Sequence, residues 1–340
     1  MKEKSNISKK YKPLTIFITG GSSGIGFQAA LKLISQGYNI ILPCKNLLRA
    51  NEVLTNIFNK LRCDSSNKGN IYTPVMDLSD LKSIKSLCDE LKKKQFNIDI
   101  LILNAGLQYT GSKRPRWSTQ GIELTFAVNH LSHFYLTQNL LPLLNIKSDS
   151  KIIITSSEVH NPISAGGKVG AKASIGDLSG LASGAGFNMI DGKQFNADKA
   201  YKDSKLCNIL FAKELSHRLN KKGLSIPVLA WAPGLVISRD SKGFFRYSRK
   251  YNQLGQILFA SLARDLLRIT TSNEKAGLLL CNLVGLSKYN KSGFTYYSNK
   301  IISSGKFIFE KTNISDEAQN EGLSGKLWDL SKSLIDNELR

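Results

Sequence analysis

The feature that most constrains this chain is an alternation. Short, continuously apolar runs recur along it, each followed by a stretch of helical periodicity. The first run, LTIFITG at 14–20, ends in glycine and leads into IGFQAALKLISQG, an amphipathic helix stopped by Gly37. The same reading gives strands at 38–44, within NIYTPVMDL, and at 98–106, 151–157 and 225–234, with SGFTYYS as the last. Helices are expected at 47–61, over LKSIKSLCDELKKK, over most of 121–144, at 201–219, and near 254–268 and 273–286. Strands apolar along their whole length are buried on both faces, and strands that alternate with helices build parallel sheets. The expectation is an α/β fold: one doubly wound parallel sheet with helices on both faces.

The organisation follows from the gaps. Residues 1–12 read as a basic flexible tail, and 13–304 as one dinucleotide-binding catalytic domain. A long glycine-rich insert lies near 158–198, and a connection of that length is usually functional or disordered. Residues 305–340 read as a polar C-terminal helical extension, with a helix near 326–335. No apolar run reaches the ~18 residues of a spanning helix, and the start, MKEKSNISKKYKP, lacks the apolar core of a secretory signal. Five scattered cysteines without a CxxC pair argue for a reducing, cytoplasmic setting and against disulfides or a metal site. The net charge of +21 is spread along the chain. Without a zinc-finger, basic-zipper or RNA-binding signature it does not imply a nucleic-acid partner. It does suit weak attraction to anionic lipid headgroups.

TGGSSGIG at 19–26 stands between the first strand and the first helix. In that context Gly20 permits the tight turn, Gly24 lets a pyrophosphate approach the helix N-terminus, and Gly26 allows close packing. Thr19, Gly20, Ser22, Ser23, Gly24, Ile25 and Gly26 are therefore cofactor candidates, and the sheet is expected to be Rossmann-type. The second strand ends in PCKNLLRA, with Lys45 and Arg49 where an NAD site commonly has an acid. Cations there suit a 2′-phosphate, so the expected cofactor is NADPH. In YKDSKLCN, Tyr201 and Lys205 lie one helical turn apart. A nearby ammonium lowers a phenol's pKa, which would make Tyr201 a proton donor. Two solvated residues on a helix surface are the plain alternative.

These residues together resemble the short-chain dehydrogenase/reductase family. Its glycine pattern matches Thr19, Gly20, Gly24 and Gly26; its NAG motif matches Asn104, Ala105 and Gly106; its helix asparagine matches Asn129 in VNHLSHF. Its strand-end serine matches Ser157 in IITSSEVH, and its YxxxK matches Tyr201 and Lys205. The resemblance implies that Asn129, Ser157, Tyr201 and Lys205 are catalytic. Tyr201 gives the proton, Lys205 holds the nicotinamide ribose and lowers the tyrosine pKa, Ser157 orients a substrate oxygen, and Asn129 holds a relay water. Asp77, Asn104, Ala105, Gly106, Pro233 and Gly234 complete the cofactor set.

Within the family the chain is most similar to the light-dependent protochlorophyllide oxidoreductases. The insert before Tyr201, the YKDSK followed by Cys-Asn, and the C-terminal KSGFTYYSN and KLWDLSKSLI carry that similarity. It implies NADPH-dependent, light-driven reduction of protochlorophyllide to chlorophyllide. It further implies a tetrapyrrole substrate, a place at or near a thylakoid surface, peripheral membrane contact and self-association. Three departures bear on the substrate. Leu235 stands where that branch has a cysteine, NAG replaces NAA, and TSSEVH resembles retinol-dehydrogenase-type members. The alternative is a light-independent NADPH-dependent carbonyl or retinol-type reductase. A non-catalytic scaffold would have no need of all four catalytic residues. Cys207 reads as a packed thiol, and His130, His133 and His160 as structural. GFFRYSRKY at 243–251 occupies the family's substrate lid, where it would meet an anionic substrate, a membrane or a subunit.

Overall fold

The computed structural model describes residues 13–61, 68–146, 149–237, 244, 246–251 and 253–340. The tail read at 1–12 lies outside them. The first half alternates as the apolar pattern requires: β1 (Thr15–Ile18), α1 (Gly24–Ser35), β2 (Asn39–Ile41), α2 (Leu47–Leu61), β3 (Ile71–Tyr72), α3 (Leu81–Lys93) and β4 (Ile100–Leu103). Then come α4 (Leu124–Phe126), a π-helical turn (Ala127–Leu131), α5 (Ser132–Leu140), β5 (Lys151–Thr155) and α6 (Ser179–Ala182). The remainder is α7 (Ala197–Lys221), β6 (Pro227–Ala232), α8 (Arg246–Tyr251), α9 (Gln253–Ser261), a π turn (Leu262–Leu266), α10 (Asn273–Gly285), β7 (Gly293–Ser303), β8 (Lys306–Lys311), α11 (Asp316–Gln319) and α12 (Glu321–Glu338).

The strands form one sheet in the order β3-β2-β1-β4-β5-β6-β7-β8. Every pair is parallel except β7–β8. The chain winds outward from β1 to β3, then returns to place β4 on the other side of β1. The carboxyl ends of β1 and β4 therefore flank the switch point, where open sheets of this kind bind ligands. Two apolar cores cover the two faces. One packs α3, α5, α7 and α12 on residues such as Phe17, Leu101, Ile152 and Val228. The other packs α1, α2 and α10 on Ile16, Ile100, Ile153 and Leu229. Neighbouring residues of one strand thus point into opposite cores, which is why the strands read as unbroken apolar runs.

One expectation needs correction and two are made more exact. The segment after Gly305 is not only helical: β8 pairs antiparallel with β7, from Tyr297↔Lys311 to Ser303↔Lys306. A boundary at 304/305 would cut this hairpin at its turn. Its sequence, KFIFEK, alternates because one face of an edge strand meets solvent. The segment 121–144 is mostly helical, as expected, with helical turns running from Leu124 to Leu143. Its α-helix begins only at Leu124, capped by the buried Glu123 carboxylate, which accepts from Thr125 N and Phe126 N, and it passes through the π turn. The insert near 158–198 is an ordered part of the core, with Ile175, Leu178, Leu181, Phe187 and Ile190 buried. Lys202, on α7, pins it by donating to the carbonyls of Val169 and Ala171. Lys199 pairs with Asp191 at 2.9 Å.

Two further features fix the second half. Lys151 is buried, and its ammonium donates to Val284 O at 2.8 Å and Leu283 O at 3.2 Å, capping the last carbonyls of α10. The chain between β6 and α10 leaves and returns at one place. Val236 and Thr271 bridge in parallel, and Thr271 N donates to Leu235 O at 2.9 Å. The β7–β8 turn holds its outer end, where Gly305 N donates to Arg268 O at 2.9 Å and Ser304 Oγ to Leu267 O at 3.0 Å.

Candidate active site

A cleft of about 1230 Å³ opens over the carboxyl ends of the strands. Its cofactor end is built from glycines. Gly20 has φ +67°, and a β-carbon there would lie 2.7 Å from Ala105 Cα, so no larger residue fits. At Gly24, φ +57°, a β-carbon would face open cleft, with only Asn273 Oδ1 at 3.7 Å. That opening sits at the start of the twelve-residue α1, whose unpaired N–H groups and dipole favour an anion. The cradle fits a dinucleotide pyrophosphate. Ser22, Ser23, Ile25 and Gly26 line it, as do Asn104, Ala105 and Gly106 across from it. The Thr19 hydroxyl accepts from Asn104 N at 2.9 Å and Ala105 N at 3.0 Å, joining the ends of β1 and β4.

At the ribose end Lys45 and Arg49 are both present, and each already holds an acid. Lys45 pairs with Asp77 at 3.0 Å. Arg49 pairs with Glu52 at 2.7 Å and donates to Ser22 O at 2.8 Å, so it braces the glycine turn. Lys45 and Asp77 line the cleft, and Arg49 supports its wall. Burial raises the Asp77 pKa, but hydrogen bonds from Ser79 and the Lys45 ammonium outweigh it and leave the carboxyl below its ordinary value. Pro233 and Gly234 line the far side. Asn299 of β7 holds Pro233 O at 3.0 Å, and Gly234 takes φ +82° against the Asn299 backbone.

The structure brings the four catalytic candidates together. Tyr201 and Lys205 face the cleft from α7, Ser157 caps the 3-10 turn after β5, and Asn129 lies in the π turn beneath Gly106. The Lys205 ammonium donates to Thr155 O at 3.1 Å and lies 5.7 Å from the Tyr201 ring centre. Burial pushes its pKa down to about 8. The expected depression of the Tyr201 pKa is not met. Burial raises it, hydrogen bonding with Ser157 lowers it, and the Asp198 charge raises it, with burial dominant. Phe244 stands edge-on to the phenol at 5.3 Å. Asn129 has little left for a relay water. Its Nδ2 donates to Leu107 O and to Ser204 Oγ, both at 2.9 Å, and its Oδ1 accepts from Leu107 N at 2.8 Å.

The other end of the cleft is largely apolar, walled by Leu107, Leu124, Val128, Val159, Leu235 and Val236. Sequence reasoning missed several of its residues. Phe307 comes from β8, and the alternation of KFIFEK was its available signal. Arg116 and Trp117 come from the loop after β4, where no local pattern marks them. The Arg116 guanidinium lies over the Tyr247 ring at 4.7 Å. His130, His133 and His160 are buried and hydrogen-bonded within the fold. Among the described residues no cluster could hold a metal ion, and Cys207 is fully buried.

The family model described as short chain dehydrogenase matches residues 14–171. Protochlorophyllide reductase of Cucumis sativus, a chloroplastic protein, is 32% identical over 327 residues, covering 94% of this chain and 77% of that protein. Protochlorophyllide reductase of Avena sativa is 31% identical over 329 residues, covering 94% of this chain and 99% of that protein. The crystal structure of L-sorbose reductase from Gluconobacter frateurii, complexed with NADPH and L-sorbose, has the same fold. Its TM-score is 0.59 at 17% identity, over 85% of this chain and 95% of that one. The chain belongs to the short-chain dehydrogenase/reductase family of oxidoreductases. Both of these protochlorophyllide reductases align along nearly all of it.

Proposed function

We propose that this chain is an NADPH-dependent reductase that converts protochlorophyllide to chlorophyllide in the light. The observation that carries the reading is the cleft. Its volume of about 1230 Å³ exceeds the ~300–1,000 Å³ of an ordinary ligand pocket, leaving room for a large planar molecule beside the cofactor. Its substrate end is apolar with cations nearby, as a tetrapyrrole bearing carboxylates requires. Full-length similarity to protochlorophyllide reductases supports the same substrate.

Bound NADPH supplies a hydride. Thr19 and Gly20–Gly26 would hold its pyrophosphate, Lys45 and Arg49 its 2′-phosphate, and Lys205 its nicotinamide ribose. Leu235 has no proton to give, so Tyr201 delivers the proton that balances the hydride. The phenolate left behind is stabilised by the hydrogen bond with Ser157, and water restores its proton. Leu107, Val159, Leu235 and Val236 exclude bulk water from the reacting face.

The first test mixes purified protein, NADPH and protochlorophyllide in the dark, then illuminates it while the absorption spectrum is recorded. A red-shifted chlorophyllide band that grows only in light supports the proposal; bound pigment without conversion refutes it. One observation favours a second reading, the light-independent carbonyl reductase. Leu235 is apolar, and Ser157 stands by the Tyr201 phenol, as needed to orient a carbonyl oxygen. Loss of NADPH with an aldehyde or ketone in the dark would establish it. The cofactor itself is tested by the double variant Lys45→Ala/Arg49→Ala. It should lose about tenfold or more in preference for NADPH over NADH, measured by kcat/KM.

A peripheral membrane contact belongs to the same proposal. Leu254, Leu258 and Leu266 are 82%, 71% and 71% exposed on α9 and the following π turn, near Lys250 and Arg268. An apolar stripe flanked by cations suits an anionic lipid surface. Sedimentation with anionic vesicles but not zwitterionic ones is expected; self-association without vesicle binding would point to a second copy instead.

A further inference from the structure

His133 lies on α5, one turn after Asn129, and its ring joins two parts of the site. Nδ1 is 3.1 Å from the Asn129 main-chain oxygen, and Nε2 is 2.9 Å from Thr19 Oγ1. Hydrogen-bond counting assigns the protons. A carbonyl oxygen only accepts, so Nδ1 carries a hydrogen. The Thr19 hydroxyl already accepts from Asn104 N and Ala105 N, which uses both lone pairs. Its own hydrogen must go outward, either to Ile102 O at 3.5 Å or to His133 Nε2 at 2.9 Å. The shorter contact has ordinary hydrogen-bond length. Nε2 therefore accepts, and the ring is neutral. Its complete burial agrees: burial pushes the pKa down to about 3, the hydrogen bond to Asn129 O opposes this, and the Lys205 charge adds to it.

We propose that His133 is a positioning residue that ties the Asn129 carbonyl to the Thr19 turn through its Nδ1–H tautomer. One ring then sets the cofactor cradle against the proton-delivery side of the site. Through Thr19 it reaches the ends of β1 and β4; through Asn129 it reaches Leu107 and, by Ser204, the catalytic helix α7. Imidazole suits this place because it carries a donor and an acceptor at different corners of one rigid ring. The inference rests on the NADPH-reductase reading for its kinetic consequences, but the tautomer does not.

The test has two arms. In the first, ¹⁵N-histidine NMR of the full chain without cofactor should show His133 protonated at Nδ1 and bare at Nε2, with no titration between pH 5 and 7. The opposite tautomer, or titration in that window, overturns the proposal. In the second, His133→Asn keeps an amide nitrogen near the place of Nδ1, and His133→Gln keeps an amide near Nε2. His133→Asn should raise the NADPH Kd about tenfold with kcat on protochlorophyllide within about threefold. His133→Gln should do the reverse. Equal losses of both parameters in both variants, or unchanged kinetics with only a lower melting temperature, overturn it. If neither variant folds, the wild-type spectrum decides. Wild-type protein that shows the Nδ1–H tautomer but binds no NADPH would refute the reductase reading and leave the ring assignment standing.

Discussion

At the scale of single residues, burial governs the chemistry. Tyr201 and Lys205 were expected to act on one another directly. The structure instead spends the Lys205 ammonium on Thr155 O and leaves both groups desolvated, each pushed toward its neutral form. A neutral phenol is the form that can donate, so the raised pKa is compatible with an acid role. Tyr201→Phe should therefore lower kcat by about 10²-fold or more, the usual worth of a positioned acid, while NADPH binding by fluorescence stays unchanged. An unchanged rate would remove Tyr201 from the mechanism. Gly20→Ala makes a different point. It forces a β-carbon against Ala105 Cα at 2.7 Å and holds alanine at φ +67°. A loss of about 1–3 kcal/mol in urea unfolding is expected, together with weaker NADPH binding.

Elements differ in how plainly the sequence announces them. Trp328 of α12 packs edge-on to Phe134 at 4.8 Å and under the Arg218 guanidinium at 4.5 Å. Trp328→Ala should cost about 3–5 kcal/mol, seen as a lower urea midpoint with little change in slope. A variant of full stability would mean that α12 is only an appendage. The helix 47–61 was legible to the residue, because Ala50, Val53, Ile57 and Leu61 mark one buried stripe on an otherwise polar segment. β8 was not, because a half-exposed edge strand of six residues buries too little to stand out from polar surroundings. The glycine turn and the Tyr-Lys pair were legible, since backbone geometry and helical spacing are local. The π turn at Asn129 was invisible, because it is held by Leu107 and Ser204, remote in sequence. The Lys45–Asp77 pair was equally hidden, since it joins the ends of separate strands.

On the scale of the whole molecule, the fold carries three neutral imidazoles in its interior. Burial holds His130 and His133 at about 3 and His160 at about 4, below the ~6.5 of an unfolded chain. Between those values the unfolded chain binds more protons than the folded one. The three histidines therefore contribute stability that rises with pH across this window and is lost as pH falls below about 6.5; Asp203, raised to about 7 by burial, opposes them with one proton against three. Each proton contributes about 1.36 kcal/mol per pH unit at full difference. Urea unfolding at pH 7, 6 and 5 should show a falling midpoint; a midpoint that is level or rising toward pH 5 would contradict the burial argument.

The bridge between Val236 and Thr271 has a consequence for how such a molecule can change. After β6 the chain leaves at Val236 and comes back beside it at Thr271, before α10, so the span between is joined to the frame at one place. The cofactor cradle and the Tyr201–Lys205 pair lie on the frame; Phe244 and Tyr247, which line the cleft, lie on the span between Val236 and Thr271. Swapping the span from 238 to 268 for that of another family member should transfer substrate range and leave cofactor choice untouched.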